Sequence, residues 1–173
     1  MEKRVLSTFK ILKEKAFNTD IDGSWIDWSI EMIQSGYETD SLYELAGISK
    51  PYNQFELQDL TNKVLKDLNL DFSNIRKTLK NYAYFLIQSN LENPENYFNV
   101  LKEFRDIYYE LDMDKEYQDF AFLYWAKEDL NYGDNQHYWD GADATNIDKI
   151  IKEKFQLYVK GIDNEIKNEA ITK

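Results

Sequence analysis

The sequence predicts an all-α protein, an irregular bundle of seven or eight helices that forms a single domain over residues 1–173. Apolar residues recur at steps of three and four along most of the chain, which is the spacing of one face of an α-helix. No stretch of useful length alternates between apolar and polar residues, as a half-buried β-strand would. The aromatic and glycine positions do not recur at a fixed period, which favours an irregular bundle over a regular helical repeat.

Three helices are predicted in the first third of the chain. The first is indicated by four apolar residues at helical spacing: Val5, Phe9, Leu12 and Ala16. The second follows a polar break, and Ser24 is its expected N-cap because Asp27, three residues later, completes a variant of the capping box. Gly36 stands where a glycine commonly follows the end of a helix. A short third helix stops at Gly47.

The next helices have recognisable start signals. Pro51 and Asn53 open one, and either Asp71 or Ser73 is expected to cap the next. Asn93 followed by Pro94 combines an N-cap residue with proline at the first helical position. Each of these signals precedes a run of apolar residues at helical spacing, so the sequence predicts a helix after each one.

The last third of the chain is predicted to contain three helices and one long loop. A tight acidic turn at residues 112–114 joins two helices that are rich in aromatic residues. Residues 131–145 contain two glycines and show no periodicity, which predicts the longest loop of the chain. Either Thr145 or Asn146 is then expected to cap a final amphipathic helix.

Large apolar residues in helical register make up the predicted core. Ten are expected to be buried: Trp25, Trp28, Leu60, Leu79, Leu86, Leu101, Phe104, Phe120, Tyr124 and Phe155. Trp125 has apolar neighbours in the same register and is assigned to the core as well. Trp139 lies in the predicted loop, where it can serve either as a packing plug or as an exposed anchor.

Composition limits the location and the partners of the protein. The chain has no cysteine, which excludes disulfides and thiolate metal sites and fits a cytoplasmic protein. Three lysines, Lys10, Lys13 and Lys15, interrupt the apolar residues near the N-terminus, so neither a signal peptide nor a membrane span is expected there. The net charge of −11 would repel nucleic acids and anionic membranes, so we expect neither as a partner.

The negative charge is distributed unevenly along the chain. Between Glu103 and Asp148 there are thirteen Asp and Glu residues against three Lys and Arg, which gives −10 of the total of −11. The same stretch is dense in aromatic residues, among them Tyr108, Tyr109, Tyr117, Phe120, Phe122, Tyr124, Trp125, Tyr132, Tyr138 and Trp139. A surface that serves only solubility mixes both signs of charge. Concentrated acid beside amphipathic rings instead favours the capture of a basic protein.

The motifs for metal binding and catalysis are incomplete. Residues 18–23 resemble the start of a calcium loop, but Ser29 stands where an EF-hand requires a bidentate glutamate. His137 is the only histidine, so it cannot form a multi-histidine metal site, and no nucleophile lies in a recognisable setting beside it. The acidic helices could assemble a carboxylate metal site, but no Glu-x-x-His pair occurs in the chain. We therefore predict no catalytic residue, no cofactor and no metal ligand.

The candidate partner-binding residues lie in the acidic turn and in the long loop, where burial is least expected. They are Asp112, Asp114, Glu116, Asp134, His137, Tyr138, Trp139, Asp140 and Asp143. The carboxylates would steer a basic partner towards the protein, and Tyr138 and Trp139 would supply apolar anchors.

The chain also resembles a class of bacterial proteins. Four motifs carry the resemblance: Trp25-x-x-Trp28 leading to Gly36, Leu42-x-x-Leu45-Ala46-Gly47, Trp125-Ala126-x-x-Asp129-Leu130, and Tyr138-Trp139. In these motifs the chain is similar to small acidic immunity proteins of polymorphic-toxin and contact-dependent-inhibition systems. The resemblance implies a cytoplasmic inhibitor that occludes a cognate toxin, often a basic nuclease, and it assigns no site residues.

Three functions remain open from the sequence. The first is a non-enzymatic binding protein that neutralises a basic toxin through its acidic aromatic surface. The second is a helical scaffold or adaptor that docks another basic protein without any toxin. The third, from a different class, is a carboxylate metalloenzyme.

Overall fold

The fold is all-α, as the sequence predicts. A computed structural model describes the backbone of residues 5–171 and the side chains as far as residue 163. Within residues 5–171 there are eight α-helices, one short 3₁₀ turn and no strand. The helices are α1 Thr8–Ala16, α2 Gly23–Gln34, α3 Asp40–Ala46, α4 Gln54–Asp67, α5 Ile75–Asn90, α6 Tyr97–Glu110, α7 Lys115–Tyr132 and α8 Ile147–Ile171, and the 3₁₀ turn is Pro94–Asn96.

The backbone contacts divide the chain into two compact units, residues 1–82 and 83–173. The division falls inside α5 rather than in a loop. Unit 1 contains α1 to α4 and the first half of α5, and unit 2 contains the rest of α5 with α6 to α8. The single domain expected from the sequence stays a prediction.

Unit 1 is built around two tryptophans of α2. The rings of Trp25 and Trp28 meet edge to face with centroids 5.9 Å apart, and both side chains are buried. The indole N–H of Trp28 donates a hydrogen bond to Thr8 Oγ1 at 2.9 Å, which joins α1 to α2. Lys15 is also buried, and its ammonium group donates to the Gln58 side chain at 2.7 Å and to Thr61 Oγ1 at 2.9 Å. A buried cation needs such partners because it has left water.

Unit 2 has an aromatic core. Phe104 of α6 lies 4.4 Å from Phe120 of α7 and 6.1 Å from Phe155 of α8, measured between ring centroids. Tyr97 meets the ring of Phe155 edge to face at 5.3 Å. Aromatic pairs in such geometries add stability beyond the area that they bury. These rings hold α6, α7 and α8 together, and the α6–α7 hairpin is the most extensive helix pair of the unit.

Most of the predicted core is confirmed. Eight of the ten predicted residues are buried, whereas Leu60 and Leu86 are half-buried. The prediction that Trp125 belongs to the core is wrong, because this side chain is only half-buried on the outer side of α7. The helix α7 contacts both α6 and α8, so its apolar residues spread over more than one face and helical register alone does not identify the outer one.

Three predicted helix caps are replaced by nearby residues. The N-cap of α2 is Asp22 rather than Ser24, and its carboxylate accepts the Ser24 backbone N–H at 2.8 Å. Before α5, Asn74 accepts the backbone N–H of Lys77 at 3.0 Å, in place of Asp71 or Ser73. Before α8, the capping carboxylate belongs to Asp143. All three sequences offer several residues able to cap, and the backbone conformation selects one of them.

Candidate interaction surface

The predicted site residues lie at the two ends of α7. Residues 111–114 form the tight turn from α6 into α7, and residues 133–146 form the loop from α7 into α8. With 18 residues, α7 separates the two ends by about 27 Å at 1.5 Å per residue. Asp112, Asp114 and Glu116 lie at the first end, and the six other predicted residues lie at the second. The structure therefore divides them into two groups.

The turn between α6 and α7 depends on unusual backbone conformations. Asp112 and Met113 both have positive φ, at 53° and 60°, a region that side chains other than glycine occupy rarely. The Met113 N–H donates to the carbonyl of Tyr108 at 2.7 Å and closes the end of α6. Asp114 then caps α7, because its carboxylate accepts the backbone N–H of Glu116 at 2.9 Å. Asp114 thus has a structural role in the turn.

Asp143 likewise has a structural role. Its carboxylate accepts hydrogen bonds from the Thr145 hydroxyl at 2.6 Å, the Thr145 backbone N–H at 2.8 Å and the Asn146 backbone N–H at 3.2 Å. Hydrogen bonding from Thr145 holds the pKa of Asp143 below its usual value. Because the carboxylate is already occupied in starting α8, it is less suited to contact a partner than its sequence position suggests.

The long loop is organised by one side chain that the sequence does not single out. The amide of Gln136 donates to the carbonyl oxygens of Trp139 at 2.6 Å and Ala142 at 2.9 Å. Its oxygen accepts the backbone N–H groups of Tyr138 and Trp139, both at 2.8 Å. Four bonds from one side chain close the loop on itself. A glutamine in a polar segment gives no periodic signal, so only the folded loop reveals this role.

The two aromatic residues of the loop, Tyr138 and Trp139, contact different neighbours. Trp139 is half-buried, with the ammonium of Lys154 on α8 5.0 Å from its ring centroid. Tyr138 is exposed and its ring lies 5.6 Å from the ring of Trp125 on α7. His137, between Gln136 and Tyr138, is exposed, and no described side chain forms a hydrogen bond with it. Of the two alternatives for Trp139, the structure favours packing against α8.

A row of rings crosses the outer side of unit 2. Trp125 is its centre, with Tyr109 at 6.4 Å, Phe122 at 5.9 Å and Tyr138 at 5.6 Å between ring centroids. We call these four residues the aromatic array. Tyr109 is 54% exposed and Tyr138 is 47% exposed, while Trp125 and Phe122 are half-buried. The array joins α6, α7 and the loop, and its members Tyr109, Phe122 and Trp125 are absent from the residues predicted for the site.

Acidic residues lie close in sequence to three members of the aromatic array. Glu110 follows Tyr109, Asp129 lies one helical turn after Trp125, and Asp140 lies two residues after Tyr138. None of these three side chains forms a hydrogen bond or ion pair with the described residues, and the same is true of Asp134. Their charges are therefore available to solvent or to a partner. We call these four residues the free carboxylates.

An arginine beside the aromatic array shows how this surface accommodates a cation. The Arg105 guanidinium lies 4.5 Å from the ring centroid of Tyr124, and its Nη2 donates to Asp106 at 2.6 Å. Tyr124 in turn donates its hydroxyl proton to Glu128 at 2.8 Å. Burial disfavours the charge of Arg105, but the hydrogen bonds and charge of Asp106 outweigh it and raise the pKa of Arg105.

A cleft of about 420 Å³ lies at the start of α6. It is lined by Pro94, Glu95, Phe98, Asn99, Lys127, Asn131 and Asp148. Lys127 and Asp148 form an ion pair across it at 2.5 Å. Beside the cleft, Lys152 pairs with Glu92 at 2.6 Å. Because Lys127 and Lys152 already hold internal partners, the positive charges at the cleft are less available to a ligand than the negative charges of the free carboxylates are to a partner.

Within the part of the chain whose side chains are described, no three His, Asp or Glu residues are grouped so that they could hold a metal ion. Among the same residues, no helix combines the length and apolar character that a membrane crossing requires. Comparison of the chain with protein-family models, with curated proteins and with solved structures gives no match. The fold and the aromatic array are thus the observations from which a function can be argued.

Proposed function

We propose that this protein is a binding protein that captures a basic protein through the aromatic array and the free carboxylates. The observation that carries the proposal is the contact of the exposed Tyr109 and Tyr138 with the half-buried Trp125. Carboxylates that have no partner among the described residues lie within four positions of each of the three in the chain. Tyr and Trp are the side chains most often found at the energetic centre of protein interfaces. The surrounding negative charge would accelerate the encounter with a basic partner.

We further propose that the partner is a toxin and that binding neutralises it. The resemblance of the chain to acidic immunity proteins supports this identity, and the concentration of −10 between residues 103 and 148 supports a partner of opposite charge. A basic nuclease fits this description, because a protein that binds nucleic acid presents a positive surface. The aromatic array and the free carboxylates would then cover the surface that the substrate of the nuclease uses.

The binding proposal is tested by affinity purification from the native host. We expect a basic protein to be retained. The double variant Asp134→Asn/Asp140→Asn should bind this partner more slowly, and its association rate should depend less on salt concentration. The matched control is Glu38→Gln/Glu44→Gln in unit 1, where both side chains are exposed and lie outside the array. Equal association rates for the two double variants would contradict the assignment of the surface.

The toxin proposal is tested separately with the captured partner. Expression of the partner alone should stop the growth of a bacterial host, and co-expression of this protein should restore it. A partner that is harmless by itself would contradict neutralisation while leaving capture intact, and the protein would then be a scaffold or adaptor.

A further inference from the structure

The spacing of the rings suggests what kind of group they receive. Ring centroids along Tyr109, Trp125 and Tyr138 are separated by steps of 6.4 Å and 5.6 Å. Neighbouring side chains on one face of a helix lie about 5–6 Å apart, and those on one face of a strand lie about 6.6 Å apart. The side chains of a regular segment are therefore spaced on the same scale as these rings.

The rings carry no cation of their own. Among the described residues, Arg105 lies over Tyr124 and Lys154 over Trp139, but no Lys or Arg lies over a ring of the aromatic array. Tyr109 and Tyr138 are about half exposed. A partner's cations could reach both rings without displacing an internal contact.

Each ring of the row also has a carboxylate close to it along the chain. Asp129 lies one helical turn after Trp125, so these two side chains can share one face of α7, and Glu110 and Asp140 lie one and two residues after Tyr109 and Tyr138. None of the three carboxylates has a partner among the described residues. A ring face combined with a carboxylate suits a guanidinium group, which stacks on the ring and forms paired hydrogen bonds with the acid. An ammonium group is more strongly hydrated and makes only a point contact.

The described residues already contain an example of this combination. Arg105 lies on the ring of Tyr124 and donates two hydrogen bonds to Asp106, from Nε at 3.0 Å and from Nη2 at 2.6 Å. Arg105 lies one helical turn before Tyr109 on α6, so this internal example and a member of the array can share one face of that helix. It shows that rings and carboxylates in this part of α6 and α7 can hold a guanidinium.

We propose that the aromatic array and its carboxylates form a binding site for arginine side chains, so that the partner presents an arginine-rich segment to this surface. This inference rests on the proposed capture of a basic protein and specifies the chemistry of that protein. Discrimination between arginine and lysine would come from the rings, whereas attraction of either cation would come from the net charge.

The test measures the affinity of the protein for two peptides of equal charge. Hexa-arginine and hexa-lysine are titrated by calorimetry at about 150 mM salt, where long-range attraction is screened. We expect hexa-arginine to bind about tenfold more tightly, since two or three rings each contribute a cation–π contact. The double variant Tyr109→Leu/Tyr138→Leu should remove this preference while keeping apolar side chains. Tyr109→Phe/Tyr138→Phe should retain it.

The matched control is Tyr43→Leu/Tyr132→Leu, which removes two exposed tyrosines, 49% and 88% exposed, that lie outside the array. It should leave the preference unchanged. Equal binding of the two peptides would overturn the arginine inference and leave the capture of a basic protein standing. A preference that survives the leucine double variant would place the arginine site elsewhere. If neither peptide binds, the inference and the proposed function both fail.

Discussion

Trp28 shows how much a single side chain contributes to unit 1. It is 2% exposed, meets Trp25 edge to face and donates its indole proton to Thr8. Trp28→Ala should therefore lower the free energy of unfolding by about 3–5 kcal/mol, as large truncations in cores do. Urea denaturation measures the change.

A control for that prediction is available on the same helix. Ile30 is 40% exposed, so Ile30→Ala should cost less than about 1 kcal/mol. A change below about 1 kcal/mol for Trp28→Ala as well would mean that the tryptophan does not lie in the core.

The carboxyl group of Glu14 makes the stability of the folded protein depend on pH. Burial is the main cause that raises the pKa of Glu14 above its ordinary value of 4.5, and the charge of Lys10 only partly offsets it. The folded protein therefore binds this proton more tightly than the unfolded chain does. The stability that the protonated carboxyl contributes is complete below pH 4.5 and is lost as the pH rises through the raised pKa.

The variant Glu14→Gln should accordingly become more stable relative to the wild type as the pH rises from about 4 to about 7. Urea unfolding at several pH values measures this difference. The comparison variant is Glu38→Gln, which changes an exposed glutamate of the same unit. A constant difference between Glu14→Gln and the wild type would show that the carboxyl titrates in the same way in the folded and unfolded chains.

At the scale of elements, the loop between α7 and α8 depends on Gln136. Replacing it with alanine removes all four hydrogen bonds that close the loop. Gln136→Ala should therefore increase amide hydrogen exchange in residues 137–146 while the helices keep their protection. Asn135→Ala, at an exposed neighbour without described side-chain bonds, is the control. Unchanged exchange in Gln136→Ala would mean that other contacts hold the loop.

The elements also show what the sequence could predict. Helical spacing predicted seven or eight helices, and eight lie within residues 5–171; Gly36, with φ of 95°, follows the end of α2 as predicted. The start of α4 after Asn53 and the turn before α7 were also predicted correctly. These features depend on residues close together in the chain, so local rules suffice.

The interaction surface depends on packing, which local rules do not capture. Tyr109, Trp125 and Tyr138 come from α6, α7 and the loop, and only the folded hairpin brings their rings together. Trp125 has core-like neighbours in sequence, and its exposure depends on which side of α7 meets α8. The charge and the many aromatic residues of this stretch were visible in the sequence, and Tyr138 was predicted as a site residue. The sequence did not show that Trp125 joins Tyr109 and Tyr138.

At the scale of the whole molecule, the negative charge should oppose folding. Unit 2 contains most of it, because thirteen acidic residues lie between Glu103 and Asp148. Raising sodium chloride from about 20 to about 300 mM should screen this repulsion and raise the melting temperature by a few degrees. Scanning calorimetry measures the shift.

Neutralising the free carboxylates should reduce the rise in melting temperature that salt produces. The variant with Glu110, Asp129, Asp134 and Asp140 changed to their amides is compared with one in which Asp20, Glu38, Glu44 and Asp59 are changed. The second set lies in unit 1, where the signs of charge are more mixed. If both variants respond to salt as the wild type does, local ion pairs rather than concentrated repulsion determine the stability.

The tryptophans lie in two different environments, so intrinsic fluorescence can report on both units. Trp25 and Trp28 are sealed within unit 1, whereas Trp125 and Trp139 are half-buried in unit 2. The first pair should fluoresce towards the blue and resist collisional quenching by acrylamide, and the second should emit further to the red and be quenched readily. A ligand that covers the aromatic array would protect the red emission of Trp125 and leave the blue emission unchanged. Capture could then be followed in unlabelled protein, in the same sample that reports the integrity of unit 1.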